Sequence, residues 1–372
     1  MSKLRVAIIG GGIGGLSAAI ALRQIGAQVR VYEQARQLGD VGAGVALQHN
    51  SQRVLDRLGV GQRVARLGSR LGEFRFCTPD GTVVARETYG VDARPLALHR
   101  ADLVAALAAA LPTGVVHTGY RCANFTQHDE SAVVGFDNGV SVGADVVVAA
   151  DGIHSGLQRY VVEPADPVFS GMVAYRGLIP AARLPDWPQG LVTWGGEGKH
   201  LLAYPVRAGQ LINYVGFVPA DEEMLESWSA PGDPAILAAE FADWAPQARH
   251  LLSRVESPLK WGLYDREPLP RWTRGRLTLL GDAAHPMLPH MGQGANQAIE
   301  DALALAILLR DVAAADAPAA LMRYQALRLD HTARVQQSAR VNGRRFDSAQ
   351  PLSLNQSWVG DYDVQKEALA VS

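Results

Sequence analysis

Residues 4–15 of this chain read Leu-Arg-Val-Ala-Ile-Ile-Gly-Gly-Gly-Ile-Gly-Gly. Residues 4–9 are apolar apart from Arg5 and rich in β-branched side chains, which predicts a strand. After the glycines, Leu16 to Ile25 places apolar residues at helical spacing, and Gln28 to Tyr32 forms a second β-like run. This order predicts a βαβ unit with parallel strands and a crossover helix that covers one face of the sheet.

The glycines of this turn form the pattern Gly10-x-Gly12-x-x-Gly15. The first glycine permits a tight bend, the second lets the backbone approach a pyrophosphate, and the third allows close packing of helix on strand. Glu33 follows Gly15 by 18 residues, at the end of the second strand, where a carboxylate accepts hydrogen bonds from a ribose diol. An isolated glycine pattern also fits a flexible turn, but this context predicts a dinucleotide site, for NAD or for FAD.

Composition and charge narrow the class of protein. The chain has 372 residues, of which 48% are hydrophobic and 19% are charged, so it contains enough apolar material for a large folded core. Its length exceeds what one core usually supports, so we expect one large α/β domain or two interleaved domains. Lys and Arg number 35 against 37 Asp and Glu, and without a basic excess we expect no nucleic-acid partner.

Cysteine usage and the N-terminal apolar run bear on the compartment. Cys77 and Cys122 form neither a disulfide framework nor a metal-ligand spacing, so we predict two free thiols in a reducing cytoplasm and no metal site. The uncharged run from Val6 to Leu22 contains five glycines, which disfavour an apolar membrane helix. We therefore expect a cytoplasmic protein without a membrane partner.

The rest of the chain alternates between helical and β-rich stretches. A buried strand is predicted at residues 145–150, and short β-like runs over residues 169–261 predict a separate sheet. Further helices are expected at residues 50–58, 100–111, 234–244, 300–309 and 318–343, and a further strand at residues 277–280. Residues 346–372 are polar and show no periodicity, which predicts a C-terminal tail.

A second glycine-rich turn follows the strand at residues 277–280. It begins with Gly281-Asp282, continues through His285-Pro286 and ends with Gly292-Gln293-Gly294-Ala295-Asn296, before a helix that starts near Gln297. A turn at a helix N-terminus provides oriented N–H donors and the positive end of the helix dipole. Two such turns imply an extended ligand.

Together these motifs resemble those of the flavin-dependent aromatic hydroxylases, the para-hydroxybenzoate hydroxylase type of flavoprotein monooxygenase. The resemblance covers residues 4 to about 345 and rests on three separated motifs. It implies an α/β fold in which a Rossmann-like FAD-binding domain is interleaved with a smaller β-rich substrate domain and followed by C-terminal helices. In that family the first glycine turn and its acid bind the ADP half of FAD, which here implies Gly10, Gly12, Gly15 and Glu33. The second turn implies that Asp282 holds the ribityl and pyrophosphate groups and that Gly294, Ala295 and Asn296 lie along the flavin ring.

Domain bounds and the hydride donor follow from the same resemblance. We predict that the FAD-binding domain comprises residues 1–75, 96–165 and 266–345, the substrate domain residues 76–95 and 166–265, and the tail residues 346–372. The sequence contains no second βαβ fingerprint for a nicotinamide nucleotide. The resemblance therefore implies NADH or NADPH as a transient co-substrate, and the sequence leaves the choice between them open.

The third motif is Asp151-Gly152-Ile153-His154-Ser155, which looks like the family pattern Asp-Gly-x-x-Ser-x-x-Arg and implies a cofactor role for Asp151. The sequence departs from that pattern because Gln158 occupies the arginine position. Arg159, one residue later, either substitutes for the missing arginine or lies at the surface. Arg100 matches the family's flavin-contacting arginine at a helix start; a solvated first-turn residue is the alternative, although cations are disfavoured at helix N-termini.

Looser matches are most similar to the salicylate, 6-hydroxynicotinate and 3-hydroxybenzoate hydroxylases. They include the segment from His200 to Gly209, the segment Asp265-Arg266-x-Pro-Leu and the residues around Trp358. His200 and Tyr204 are four residues apart, so on a strand they share one face and point into a pocket beneath the flavin. The alternative is a core tyrosine and an edge histidine.

The resemblance assigns three catalytic residues. His200 would accept a proton from a ring hydroxyl, because histidine titrates near neutral pH, and Tyr204 would hold a phenolate or carboxylate. Pro289 aligns with the family proline whose backbone carbonyl faces the substrate ring.

The expected activity is that of an FAD-dependent monooxygenase, a monomer or homodimer, that uses NAD(P)H and O₂ to hydroxylate a small hydroxylated aromatic or N-heteroaromatic carboxylate. The family reacts through a flavin C4a-hydroperoxide. Salicylate-like attack with loss of CO₂ and plain ortho or para hydroxylation are both open; Ala46 stands where the 6-hydroxynicotinate enzymes carry a histidine, which weakens that assignment. The rival hypotheses are a flavin reductase or dehydrogenase, a non-catalytic flavin-binding protein and a membrane-associated quinone-pathway hydroxylase.

Overall fold

The predicted βαβ unit is present at the N-terminus of the computed structural model, which describes residues 3–39, 43–163, 166–220, 230–348 and 357–372. Strand β1 (Arg5–Ile9) pairs in parallel with β2 (Gln28–Glu33), and helix α1 (Ile13–Gln24) connects them. Apolar residues of all three elements are buried in one core, so the pattern that predicted the unit also stabilises it.

The other strands and helices complete a mixed α/β architecture. The strands, in chain order, are β3 (Gly44–Leu47), β4 (Ser69–Arg70), β5 (Glu73–Cys77), β6 (Val83–Thr88), β7 (Leu96–His99), β8 (Val116–Thr118), β9 (Cys122–Gln127), β10 (Ala132–Phe136), β11 (Ser141–Ala144), β12 (Val146–Ala149), β13 (Val168–Pro180), β14 (Gly190–Gly196), β15 (Lys199–Val206), β16 (Leu211–Pro219), β17 (Ala230–Pro231), β18 (Leu259–Asp265), β19 (Thr273–Arg274) and β20 (Leu277–Leu279). The helices are α2 (His49–Arg57), α3 (Gly61–Leu67), α4 (Arg100–Ala108), α5 (Pro234–Glu240), α6 (Pro246–Leu252), α7 (Gly294–Leu308), α8 (Ala317–Asp347), α9 (Ser357–Gly360) and α10 (Val364–Ala370). Among these described helices, none has the length and apolar composition needed to cross a membrane.

The largest core surrounds a six-stranded sheet with the strand order β19-β20-β12-β1-β2-β8. All of its pairs are parallel except β19 with β20. Because β1 and β12 are adjacent and parallel, their carboxyl ends lie at the same edge, with Ile9 opposite Ala149. The residues that follow these strands, Gly10 and Asp151, are therefore brought together at that edge, where open α/β sheets bind their ligands.

A second sheet has eight strands in the order β17-β18-β13-β16-β15-β14-β5-β6. One face of it is buried under α5 and α6, through residues such as Leu237, Phe241 and Leu251. The opposite face is contacted by β3 and by the segment before α7. Its strands come from residues 73–88 and 168–265. The division of the chain into an FAD-binding and a substrate domain stays a prediction.

Several predicted bounds differ from the structure. Helix α4 ends at Ala108 and α5 at Glu240, α7 begins at Gly294, and α6 was not predicted. The prediction of a tail without periodicity was wrong for the described part of residues 346–372, because α8 continues to Asp347 and α9 and α10 follow; residues 349–356 lie outside the described residues. The reason is that few apolar side chains, such as Val364 and Ala368, are buried in the large core, too few to give a clear period.

Candidate active site

The first glycine turn forms an open cradle at the N-terminus of α1. Gly10 has a φ of +111°, and a Cβ there would overlap the carbonyl oxygen of Ala150. A Cβ at Gly15 would overlap the carbonyl oxygen of Gly10, whereas a Cβ at Gly12 would meet no atom within 4 Å. The helix has neither a side-chain cap nor an acidic residue in its first turn, so no side chain caps its first N–H groups. This geometry fits a pyrophosphate.

Glu33 lies beside this cradle at the end of β2. Its Oε2 accepts a hydrogen bond from the Gly11 N–H at 2.7 Å, and its Oε1 accepts one from the Ala35 N–H at 2.7 Å. Each carboxylate oxygen retains a second acceptor position, so the side chain is held in place and can still accept hydroxyl hydrogens from a ribose.

The Gly281-Asp282 turn is fixed by a buried charge cluster that sequence reasoning missed. Asp301 Oδ2 accepts from the Gly281 N–H at 3.1 Å and lies 2.6 Å from His285 Nε2, while Oδ1 accepts from Arg328 Nε at 2.8 Å. Burial opposes ionisation of Asp301, yet His285 and Arg328 lower its pKa to about 2. Burial raises the pKa of the neighbouring Glu300 to about 7. The signal in the sequence was the Glu-Asp pair within the apolar α7.

The start of α7 is the second part of the cradle. The Asn296 side chain is fully used inside the protein: its Oδ1 accepts from the Gln48 N–H and the Ser51 hydroxyl, and its Nδ2 donates to the carbonyls of Ala46 and Gly292. It therefore joins β3 and α2 to the glycine turn, and its backbone N–H is what remains for a ligand, together with those of Gly294 and Ala295.

Asp282 and Gly294 face each other across the second turn. A Cβ at Gly294 would lie 3.7 Å from Asp282 Oδ1, and the Asp282 side chain is exposed. Free N–H groups at two helix ends, a fixed acid at Glu33 and an exposed carboxylate at Asp282 suit an extended dinucleotide with two phosphates, a ribose and a further polyol. These residues fit FAD.

The third motif lies at the same sheet edge. Asp151 Oδ2 accepts from the Gly156 N–H at 3.0 Å, and burial raises the pKa of Asp151. Gln158 is buried; its Nε2 donates to the Ala283 carbonyl at 3.1 Å, and its Oε1 accepts from Arg266 Nη1 at 2.9 Å. Arg159 is exposed, and this position is compatible with both alternatives, a surface residue and a substitute for the family arginine. The guanidinium that reaches Gln158 comes instead from Arg266.

Arg100 begins α4, and its N–H donates to the Ala43 carbonyl at 2.9 Å. Its side chain is exposed beside β3. This placement leaves both of its alternatives available, a contact with the flavin and a solvated first-turn residue.

The inner face of the second sheet is set by its register. His200 is opposite Phe217, which is opposite Ala174; Tyr204 is opposite Asn213. The intervening residues Leu201 and Ala203 pack under α5 and α6 on the other face. His200 and Tyr204 therefore share one face, as predicted, and this face is the one that meets the segment before α7.

His200 is completely buried, so the edge-histidine alternative is wrong. Its Nδ1 lies 2.8 Å from Asp347 Oδ1, and its ring stacks on Phe217 at 4.2 Å between centroids. The rings of His290 and Phe346 complete the enclosure, at 5.1 and 5.2 Å. Burial lowers the pKa of His200, and Asp347 partly offsets this. The side chain is therefore a neutral imidazole at neutral pH.

Tyr204 points toward β3. A Cβ at Gly44 would lie 2.7 Å from the Tyr204 hydroxyl oxygen, and the Gly44 N–H donates to Asn213 Oδ1 at 2.7 Å. Burial raises the pKa of Tyr204 far above its usual value, although Arg176 opposes the shift. Tyr204 is therefore a neutral hydroxyl, a group that can donate a hydrogen bond.

Arg176 is a buried cation on the same face, and sequence reasoning missed it. Its guanidinium carbon lies 4.1 Å from the centre of the Trp261 indole. Burial, with repulsion from Arg100, lowers the pKa of Arg176 to about 10. The signal was an arginine inside an otherwise apolar strand, β13. A guanidinium on this face can form a charge-assisted hydrogen bond with an anionic ligand.

Pro289 lies in the segment before α7, which meets the inner face of the second sheet. It begins a single turn of 3₁₀ helix, Pro289–Met291, and is exposed. Its neighbours Leu288 and His290 contact the inner sheet face, at Phe217 and His200. A cavity of about 550 Å³ adjoins this turn and is lined by residues including Met172, His290, Arg344 and Asp347.

Comparisons with known proteins agree with this architecture. Residues 3–339 match the family described as FAD binding domain. The chain is 40% identical to a 3-amino-4-hydroxybenzoate 2-monooxygenase of Streptomyces platensis, over 93% of this chain and 89% of that protein. It is 34% identical to a 6-hydroxynicotinate 3-monooxygenase of Bordetella bronchiseptica, over 99% and 97%. A solved salicylate hydroxylase in complex with its substrate superposes with a TM-score of 0.87 at 30% identity, covering 100% and 98%.

The fold and the cradle define a protein that binds an extended dinucleotide, and the relatives identify that dinucleotide as FAD. The chain belongs to the family of FAD-dependent aromatic-ring monooxygenases. The resemblance drawn from the three motifs is thereby confirmed, as are the α/β fold class and FAD as cofactor.

Proposed function

We propose that this monooxygenase hydroxylates a small hydroxylated aromatic carboxylate, with NAD(P)H as the hydride donor. The observation that carries the proposal is the inner sheet face, which presents a neutral histidine, a tyrosine hydroxyl and a buried arginine together. These are partners for a ring hydroxyl and for a carboxylate. The relatives named above act on ligands that carry both groups.

FAD, when bound and reduced, supplies the activated oxygen, and the overall reaction consumes one NAD(P)H, one O₂ and one proton per hydroxyl group and water formed. The residues of the chain bind the substrate ring and remove a proton from its hydroxyl group. His200 accepts the proton of the ring hydroxyl at Nε2, which raises the electron density of the ring. Tyr204 donates a hydrogen bond to the substrate, and Arg176 pairs with its carboxylate. Pro289 faces the ring with its carbonyl, and Phe217 and Leu202 exclude water.

The position of attack distinguishes two forms of this proposal. In the first, oxygen enters at an unsubstituted carbon and replaces hydrogen. In the second, it enters at the carboxyl-bearing carbon, and CO₂ leaves. Ala46 argues against a 6-hydroxynicotinate substrate, since it offers a methyl group where those enzymes carry a histidine.

The first test is NADH and NADPH oxidation by FAD-loaded protein in air, with salicylate, 3-hydroxybenzoate, 3-amino-4-hydroxybenzoate and 6-hydroxynicotinate. We expect one compound to stimulate oxidation and to gain one oxygen by mass. Release of hydrogen peroxide alone would show a pocket ligand that is not the substrate. A flavin reductase or dehydrogenase would oxidise NAD(P)H with no oxygen in any product, and that result would overturn the proposal.

The role of His200 is tested separately with His200→Ala. We expect kcat to fall by roughly 100-fold or more at neutral pH. The difference in kcat from the unsubstituted enzyme should become smaller at a pH where the substrate hydroxyl ionises without a base. An equal loss at every pH would contradict the role of base.

We also propose a cytoplasmic enzyme that is a monomer or a homodimer. Cys77 and Cys122 are free thiols, which suits a reducing compartment. Burial raises the pKa of Cys122 to about 11, which disfavours its reactive thiolate form. Light scattering on the purified protein decides between the two oligomeric states.

A further inference from the structure

The C-terminal end of α8 is docked onto the hairpin that carries His200. The Gly198 N–H donates to the Asp347 carbonyl at 2.9 Å. A Cβ at Gly195 would overlap the carbonyl oxygen of Phe346, so glycine is required at that position. The Phe346 ring packs against Phe76 at 5.5 Å. The backbone of Asp347 is thus fixed relative to β14 and β15 before its side chain makes any bond.

The side chain of Asp347 determines which tautomer His200 adopts. An ionised carboxylate is an acceptor, so the 2.8 Å contact requires the hydrogen of the neutral imidazole to be on Nδ1. The lone pair is then on Nε2, which is buried and has no hydrogen-bond partner within the described residues. This is the nitrogen that a substrate hydroxyl would meet.

We propose that Asp347 is the positioning residue for His200: it fixes the Nδ1–H tautomer, orients Nε2 toward the substrate and stabilises the imidazolium that forms when His200 takes the ring-hydroxyl proton. This inference rests on the proposed function. No bond to substrate is assigned to Asp347 itself, because it acts through the imidazole.

His200 and Asp347 differ in how far they are exposed to solvent. His200 is 0% exposed, whereas the Asp347 side chain is 24% exposed and lines the cavity of about 550 Å³. The carboxylate therefore lies between a buried base and solvent while it holds the Nδ1 hydrogen of His200. The proton collected at Nε2 is returned from that nitrogen to the phenolate oxygen of the hydroxylated product, so the imidazole regains the neutral Nδ1–H form that the next substrate requires.

The other titratable and charged groups around the pair do not replace Asp347. His290 faces the His200 ring, and burial together with His200 lowers the pKa of His290 well below its usual value, so it stays neutral. Lys199, adjacent on β15, pairs with Glu240 away from the ring. Charged groups of α8, Arg340 and Arg344, also line the cavity, together with Asp265 at the end of β18 and with Arg266 and Glu267 after it. Arg340 pairs with Asp265 and Glu267.

The test compares Asp347→Asn with Asp347→Glu and with Glu267→Gln, which removes a charge from the same cavity without touching His200. We expect Asp347→Asn to lower kcat by about 10- to 100-fold at neutral pH, with KM changed less than twofold. The difference in kcat between Asp347→Asn and the unsubstituted enzyme should become smaller at a pH where the substrate hydroxyl ionises without a base. Asp347→Glu should recover part of the rate, and Glu267→Gln should match the unsubstituted enzyme.

Two further measurements do not depend on turnover. Absorbance titration of a bound hydroxybenzoate, without NAD(P)H, should show at least tenfold less phenolate at neutral pH in Asp347→Asn. Nitrogen NMR of the histidine side chains should show loss of the Nδ1–H form of His200. A pH-independent loss of kcat, or an unchanged phenolate fraction, would overturn the inference. If His200→Ala has normal activity at neutral pH, the proposed function of His200 fails first; if only Asp347→Asn is normal, the positioning role alone fails.

Discussion

Arg328→Met should destabilise the protein and weaken FAD binding, because Arg328 is the only guanidinium in the described residues that is paired with both Asp301 and Glu300. The side chain is completely buried on α8. Its Nε donates to Asp301 at 2.8 Å, and its Nη2 donates to Gln297 Oε1 at 2.7 Å and lies 3.0 Å from Glu300. Methionine keeps the length of the side chain but leaves two buried carboxylates without their cation.

The magnitude follows from the cost of breaking a buried ion pair. Removing one partner costs about 3–5 kcal/mol, since the other charge stays buried. His285 still lies 2.6 Å from Asp301, so we expect the lower half of that range. With roughly 2 cal/mol/K of unfolding entropy per residue, a chain of this length loses about 4–5 °C of Tm. The Gly281 N–H, held by Asp301, loses order as well, so the Kd for FAD should rise.

The loss of stability in Arg328→Met should also depend on pH. In the unfolded chain Glu300 ionises near 4.5, whereas in the folded protein burial raises its pKa to about 7 and removal of Arg328 raises it further. A carboxyl whose pKa is raised on folding destabilises the folded state as pH rises toward its folded pKa. The variant should therefore lose more stability at pH 8 than at pH 6.

Thermal unfolding of the FAD-free protein at both pH values, with a separate FAD titration, measures these effects. Arg323→Met, an exposed position on the same helix, is the matched control and should change Tm by less than 1 °C. A Tm equal to that of the parent protein, or a smaller loss at pH 8 than at pH 6, would refute the assignment of Arg328 as the cation of this cluster.

Three further predictions concern the cradle and the sheet face. Gly15→Ala should unfold or strongly destabilise the protein because its Cβ overlaps the Gly10 carbonyl, whereas Gly12→Ala should keep the Tm of the FAD-free form and weaken FAD binding, as fluorescence titration would show. Arg176→Met should raise KM about 10- to 100-fold for the carboxylate substrate with kcat little changed, and Arg183→Met, at an exposed ion pair, should leave KM unaltered. Tyr204→Phe should lower kcat/KM about tenfold without moving the pH profile, since Tyr204 stays protonated; an altered profile would assign the base to Tyr204.

The sequence by itself determined the parts of the molecule whose residues are close along the chain. Gly10, Gly12, Gly15 and Glu33 lie within one βαβ unit, where periodicity and glycine spacing record the local geometry. The shared face of His200 and Tyr204 also follows from the two-residue period of a strand.

Only the tertiary structure decided the partners that act on these residues. Asp347 meets His200 across 147 positions of the chain, and Arg266 meets Gln158 across 108. Arg176 acquires its role from the sheet register, which places it on the face of Tyr204. The apparent tail contributes α10 to the core by burying two small apolar residues. No local pattern encodes these pairings, because they depend on how elements that are distant in sequence pack against one another. The free energy that favours this packing is a sum over contacts throughout the chain.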